Sequence, residues 1–241
     1  MRHVVLVGAT DGIGLALARA HLERSWRVAV VGRSSSKVDR VVTELREAVP
    51  GGTVVGGVLD VTQRARTAGV LNGVLADLGQ MDRLVYTAGV MDDGPRATGR
   101  MIDVNTVGAI DVLEWGAAYL TEAGQGRLAA IGSVAGDRGR RGNPVYGASK
   151  AALHQYLEGL RHRLHDQGVG VTTIKPGWVR TRMLGDVPGF PPSIAASRAA
   201  ELIVRGLDAE RDAFYVPAWW GLVSLVLRAL PRPVFKRMAP P

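Results

Sequence analysis

Short runs of aliphatic and β-branched residues recur along the chain, each followed by a longer stretch in which apolar residues return every three or four positions. The short runs are Val4–Val7, Val28–Val31, Thr53–Val58, Arg83–Tyr86, Leu128–Ile131, Val169–Ile174 and Phe214–Val216. Their length and branching predict strands. The stretches Leu15–Arg24, Val38–Ala48, Ala65–Leu78, Met101–Ala123 and Ser149–Asp166 carry the 3.6-residue period of helices packed on one face. Strand and helix in alternation predict an α/β fold, a doubly wound parallel sheet of about seven strands with helices on both faces. No repeat, low-complexity tract or linker divides the chain, so residues 1–241 read as a single domain. The segment GDVPGFPP, Gly185 to Pro192, is too short to separate domains and reads as a loop over a site, within a substrate-loop region at 182–200.

Composition narrows the function classes. With 46% hydrophobic residues the chain can bury one large core, and the absence of cysteine excludes disulfide and thiolate chemistry and suits a reducing cytoplasm. The apolar run near the N-terminus, Val4–Val7, is too short for a signal-peptide core or a membrane span and reads as the first strand. A cytoplasmic location is therefore expected. The net charge of +8 would attract phosphates, nucleic acid or an anionic membrane. Its arginines are scattered, with no aromatic stripe and no helix-turn-helix or zinc-finger spacing, so neither nucleic-acid binding nor a metal site is expected.

Two motifs bring chemistry. GATDGIG, Gly8 to Gly14, joins the first strand to a helix. Glycines at 8, 12 and 14 permit a tight turn, close backbone approach and close helix packing, and the helix N-terminus offers unpaired N–H groups to a pyrophosphate. Dinucleotide binding by a Rossmann-type domain follows, with Thr10, Asp11 and Ile13 in the same turn. The second strand ends in Gly32-Arg33 with Ser34, Ser35 and Lys37 beyond and no acid. A carboxylate there would accept from a ribose 2′-OH, whereas arginine accommodates a 2′-phosphate. NADP(H) is favoured, NAD(H) stays open, and a plain solvated turn arginine is the competing reading. Asp11, near the same phosphate, works against the preference. The other motif is NPVYGASKAAL, in which Tyr146 and Lys150 stand four apart on one helical face. An ammonium beside a phenol of reference pKa about 10 favours the phenolate and tunes Tyr146 as a proton donor.

The spacing G-x-x-x-G-x-G, the YxxxK pair, Ser133 thirteen residues before Tyr146, Asn105 in IDVNTVGA and PGWVRT at 176–181 together resemble the short-chain dehydrogenase/reductase family, classical type, over residues 3 to about 181. The resemblance implies that Tyr146 donates the proton, Ser133 orients and polarises a carbonyl, Lys150 holds the ribose, and Asn105 supports a water-linked proton path from Lys150. It also implies cofactor contacts at Asp60 and Val61 in LDVT, at Ala88 and Gly89, and at Pro176, Gly177, Val179 and Thr181. A capping role for Asp60 or Thr62 on the following helix competes with the adenine contact. One departure stands out: the family's N-N-A-G is Tyr86-Thr87-Ala88-Gly89 here, which removes a hydrogen-bonding side chain at a strand end.

The blocks SVAGDRGRRGNPVYGASKAAL, IKPGWVRTRM and the C-terminal YVPAWWGLVSLVLRALPRPVFKRM look like the ketoreductases grouped with decaprenylphosphoryl-2-keto-pentose reductase. That resemblance implies a keto-sugar substrate on a polyprenyl-linked or cell-envelope precursor. A 3-oxoacyl or other small hydrophobic ketone is the alternative, and a non-catalytic dinucleotide-sensing protein is an alternative of another class. Arg138, Arg140 and Arg141 either bind a substrate anion or lie on a solvated loop. The tail at 217–241, apolar from Ala218 to Leu230 with Trp219 and Trp220 and then Arg232, Lys236 and Arg237, either lies on a membrane surface or packs in the core or in an oligomer interface. A homodimer or homotetramer is expected.

Overall fold

All five residues of the first strand, β1 (His3–Val7), are buried, as a strand covered by helices on both faces must be. Val4 and Leu6 join one apolar layer and Val5 and Val7 the other. The structure is a computed structural model that describes residues 1–91, 97–184 and 192–237. After β1 come α1 (Gly12–Leu22), β2 (Arg27–Gly32), α2 (Ser35–Ala48), β3 (Val54–Val58), α3 (Thr67–Leu78) and β4 (Arg83–Tyr86). Then follow α4 (Ala97–Ile102), a π-helical turn (Asp103–Val107), α5 (Gly108–Ala123), β5 (Gly126–Ile131), α6 (Pro144–Leu164) and β6 (Val169–Pro176). A two-residue strand pair, β7 (Val179–Arg180) with β8 (Ile194–Ala195), precedes α7 (Ala196–Asp208), β9 (Ala213–Val216), α8 (Trp220–Ala229) and α9 (Arg232–Arg237).

Seven strands, one for each predicted run, form a parallel sheet in the order β3-β2-β1-β4-β5-β6-β9. Leu17, Val41 and Ile203 of α1, α2 and α7 pack on one face; Leu71, Leu113 and Leu157 of α3, α5 and α6 pack on the other. Each of these leucines is fully buried, so truncation to alanine would cost about 2–5 kcal/mol. Strand order reverses between β1 and β4, and in such sheets the crevice for a ligand opens there, beyond the carboxyl ends of the strands.

Several elements differ from the sequence pattern. The helix expected at Met101–Ala123 is interrupted by the π-helical turn that carries Asn105. Helix α6 starts at Pro144, earlier than Ser149, because the Asn143 side chain accepts the Tyr146 amide at 3.0 Å and proline suits a first turn. Helix α7 was not anticipated, although Ala199, Ala200, Ile203, Val204 and Leu207 recur at helical spacing and are buried. It narrows the expected substrate-loop region, since from Ile194 onward that segment is strand and helix. Residues 185–191 of that region, and 238–241 of the tail, lie outside the described residues.

Candidate active site

The β1–α1 turn is shaped by its glycines. Gly8 has φ +95°, and a Cβ on it would stand 2.3 Å from the amide nitrogen of Ala88; one on Gly14 would stand 2.5 Å from the Gly8 carbonyl oxygen. Only glycine lets the turn press against the end of β4 and α1 close on the turn. Asp11 caps α1 by accepting the Gly12 amide at 2.8 Å, and its carboxylate also pairs with Arg182 at 2.9 Å. Beside this turn lies a cleft of about 1390 Å³, well above the ~300–1,000 Å³ of ordinary small-molecule sites. Every predicted cofactor position lines it, from Gly8 through Gly14 and Arg33 to Thr181, as do Ser133, Tyr146 and Lys150. Its size, its side-chain-free glycine backbone and its helix N-terminus fit a dinucleotide.

At one end the cleft is bounded by Arg33, Ser34 and Lys37. Arg33 is exposed, and Asp11, expected to oppose a phosphate there, is engaged by Arg182. The Asp60 carboxylate accepts from the Thr62 amide at 3.0 Å and the Thr62 hydroxyl at 2.8 Å. Those bonds, with Arg33 and Arg100 nearby, hold its carboxyl below the usual carboxylate range despite partial burial. Neither Asp60 nor Thr62 caps a helix. The chain passes first through a 3₁₀ turn at Arg64–Arg66, and α3 starts only at Thr67, so Asp60 closes a turn instead.

Ser133 leaves the end of β5 in extended backbone and accepts the Ala135 amide at 3.1 Å, which opens a 3₁₀ turn at Val134–Gly136. Its hydroxyl neighbours Tyr146, whose phenol is pushed up by burial and pulled back in part by the serine. The direction is opposite to the one expected from the Tyr146–Lys150 spacing. Lys150 donates to the Ile131 carbonyl at 2.9 Å and its Nζ sits 5.8 Å from the centre of the Tyr146 ring, too far to outweigh desolvation of the phenol. Burial also lowers Lys150 itself to about 8.

Asn105 is fully buried and does not line the cleft. Its Oδ1 accepts the Val90 amide at 2.8 Å, and its Nδ2 donates to the Val90 carbonyl at 2.9 Å and to Ser149 Oγ at 3.0 Å. Gly89 lies between Asn105 and Lys150: a Cβ there would be 3.4 Å from Asn105 Oδ1 and 3.5 Å from Lys150 Nζ. The departure at Tyr86-Thr87 is compensated. The Tyr86 hydroxyl, fully buried, donates to the Val104 carbonyl at 2.6 Å beside Asn105, and the Thr87 hydroxyl donates to the Val7 carbonyl at 2.9 Å.

Sequence reasoning missed what lies behind Ser133. His154, one turn beyond Lys150 on α6, accepts the Ser133 amide through Nε2 at 3.3 Å. Asp137, expected only as part of a basic loop, is a buried carboxylate that receives Lys175, Tyr215 and Ser224 at 2.7, 3.0 and 2.6 Å. No local spacing signals this, because the partners come from β6, β9 and α8. Arg138 neither meets a cleft anion nor stays in solvent. Its guanidinium donates to the carbonyls of Leu227 and Leu230, with the latter at 2.8 Å, and so closes the end of α8. Of the other two cations, Arg140 lines the cleft and Arg141 is exposed. Trp220 is buried, and a Cβ on Gly177 would fall 1.8 Å from its Nε1; Trp219 stacks on it but is 37% exposed.

The family model for short chain dehydrogenases matches residues 2–189. An uncharacterized oxidoreductase of Staphylococcus epidermidis is 31% identical over 210 residues, covering 84% of this chain and 89% of that protein. Another, from Streptomyces coelicolor, is 31% identical over 249 residues, covering 98% and 96%. Among solved structures, an alcohol dehydrogenase of Thermococcus sibiricus complexed with 5-hydroxy-NADP shares the fold with a TM-score of 0.80 at 24% identity, covering 89% of this chain and 95% of that one. A short-chain dehydrogenase/reductase of Burkholderia phymatum in complex with NAD gives a TM-score of 0.83 at 22% identity, covering 93% and 92%. With the family model spanning most of the chain, and with two oxidoreductases at this identity over most of their length, the protein belongs to the short-chain dehydrogenase/reductase family of oxidoreductases.

Proposed function

We propose that the protein reduces a carbonyl to a secondary alcohol with NADPH. The observation that carries this reading is the meeting of Ser133, Tyr146 and buried Lys150 on the wall of the dinucleotide-sized cleft. A reduced nicotinamide, when bound, supplies the hydride. Ser133 and Tyr146 both present hydroxyls to one point, where a carbonyl oxygen accepts from each and is polarised. As negative charge develops on that oxygen, the Tyr146 O–H transfers its proton to it and a neutral alcohol results. Burial suits this direction of transfer, because it keeps the phenol protonated until charge appears. Lys150 supplies the positive charge that stabilises the phenolate left behind, and Asn105 holds the loop at Val90 and Ser149 in place around it. The preference for NADPH rests on Arg33, with Ser34 and Lys37, and on the engagement of Asp11 by Arg182. Solved relatives with 5-hydroxy-NADP, NADPH and NAD accord with a nicotinamide dinucleotide here.

The cleft lining also includes Val90, Met91, Trp178, Met183 and Leu184, and the cations Arg100 and Arg140. A ketone with an apolar body and an anionic group fits this lining. A keto-sugar on a polyprenyl-linked precursor has both parts, although with Arg138 committed to α8 fewer cations are left for a phosphate. The apolar lining favours the second substrate reading, a 3-oxoacyl or other small hydrophobic ketone. Helix α8 exposes Leu222, Leu225 and Val226, Trp219 is exposed at its N-cap, and Val234 of α9 is exposed, as are Arg228, Arg232, Lys236 and Arg237. We propose that this face rests on an anionic lipid surface, its apolar stripe in the interface and its cations toward the headgroups. Among the described residues no helix is long and apolar enough to cross a membrane.

The test of the reaction is Tyr146→Phe, which removes one hydroxyl. NADPH affinity should stay within about twofold of wild type while turnover of ethyl acetoacetate or diacetyl falls ~10²-fold or more. Near-normal turnover would remove Tyr146 as the proton donor. A wild type that binds NADPH tightly and turns over no ketone would favour the sensing protein.

A further inference from the structure

The turn that carries Ser133 is moulded around an imidazole. A Cβ on Gly132 would lie 2.2 Å from His154 Nε2, and one on Gly136 would lie 2.7 Å from His154 Cε1, so glycines on both sides of Ser133 make room for the ring. Between them the Ser133 amide donates to Nε2 at 3.3 Å. A nitrogen that accepts carries no proton, so the ring proton is on Nδ1. That atom lies 3.8 Å from Asp137 Oδ1, beyond hydrogen-bond distance but within electrostatic reach of a carboxylate whose side chain is 4% exposed. The Asp137 oxygens are held in turn by Lys175 of β6, Tyr215 of β9 and Ser224 of α8, and the hydroxyls of Tyr215 and Ser224 are 3.3 Å apart. The chain of contacts thus runs from α8 to the backbone nitrogen of the residue that orients the carbonyl.

We propose that His154 is a positioning residue for Ser133, and that Asp137 fixes its tautomer and orientation and ties both to α8. This rests on the reductase reading. The chemistry is consistent with it. Burial, helped by the neighbouring Lys175, lowers His154 to about 4, so the ring is a neutral acceptor near neutral pH. Burial pushes the Asp137 carboxyl up, but the bonds from Lys175, Ser224 and Tyr215 win and hold it below the usual range, so it stays an anion able to orient Nδ1–H.

Two substitutions separate the two ends of the ring. Glutamine places an amide oxygen where Nε2 lies, and asparagine places its amide where Nδ1 lies without reaching Ser133. His154→Gln should retain most of the turnover with ethyl acetoacetate. His154→Asn should lose about tenfold in kcat, the value of one misplaced hydrogen bond, with NADPH affinity within about twofold. In a Ser133→Ala background His154→Asn should cost nothing further, because its effect passes through the Ser133 hydroxyl. Hydrogen exchange at the Ser133 amide needs no turnover: it should be as slow in the Gln variant as in wild type and faster in the Asn variant. Equal kcat in both variants, equal losses with and without the Ser133 hydroxyl, or unchanged exchange in the Asn variant would each overturn the proposal. If the wild type reduces no ketone, the reductase reading falls, and exchange alone still decides whether His154 holds Ser133.

Discussion

Replacing Lys150 by methionine should stabilise the cofactor-free protein near neutral pH even as it ends turnover. An unfolded chain keeps the Lys150 ammonium up to its ordinary value of 10.5, whereas burial in the folded protein lowers that value to about 8. Between these values the unfolded chain binds one more proton than the folded one, so the free energy of unfolding rises with pH by ~1.4 kcal/mol per pH unit. Across the gap this amounts to ~3 kcal/mol, all of it opposing folding below about pH 8. Methionine keeps the apolar stem, removes the ammonium and gives up the bond to the Ile131 carbonyl, worth about 1 kcal/mol. The net gain at pH 7 is then ~2 kcal/mol, or roughly 4–8 °C in Tm for a chain of this size. Urea unfolding of both proteins between about pH 7 and 9.5 would show the advantage of the methionine variant shrinking as pH rises. Tyr86, Tyr146 and Tyr156 are all pushed up by burial, so their titration near pH 10 in the unfolded chain lowers stability in both proteins alike and cancels in the difference between them. Parallel stability curves, or a methionine variant that is the weaker protein at pH 7, would refute the reasoning.

Arg33→Ala should weaken NADPH about tenfold or more and leave NADH nearly unchanged, since a charge-assisted phosphate contact is worth ~1.5–3 kcal/mol; equal affinity of the wild type for the two cofactors, by fluorescence titration, would refute the preference. Leu222→Ser with Leu225→Ser should abolish co-sedimentation with vesicles containing anionic lipid while sparing turnover of diacetyl, and wild-type binding should weaken in high salt. Unchanged sedimentation, or a change of oligomeric state instead, would give the α8 face to another copy of the chain.

The sheet was legible because its strands are short aliphatic runs, with β1 and β4 buried on both sides, and Arg83–Tyr86 is bounded as expected. The parallel, doubly wound arrangement and the cleft follow from alternation and the glycine turn. The direction of the Tyr146 shift was not legible, because spacing sets the distance to Lys150 and says nothing of how dry the phenol is. The π-helical turn at Asn105 was hidden within a stretch whose apolar period continues through it. Asp137 was hidden for a different reason. Its partners at 175, 215 and 224 are brought to it by strand neighbours β6 and β9 and by the docking of α8, all nonlocal events.

The fit of Trp220 over Gly177 has a consequence for how this protein can vary. No positive φ forces glycine at 177; the indole does, by standing where a Cβ would be. The two positions therefore behave as one inherited character. Natural variants that carry a side chain at the first should also carry a small residue at the second, and a laboratory library randomised at position 177 alone should return glycine. Randomising both positions together should recover pairs that neither single library can reach. Substrate-range engineering of the adjoining cleft wall would then have to begin from α8, some forty residues away in the chain.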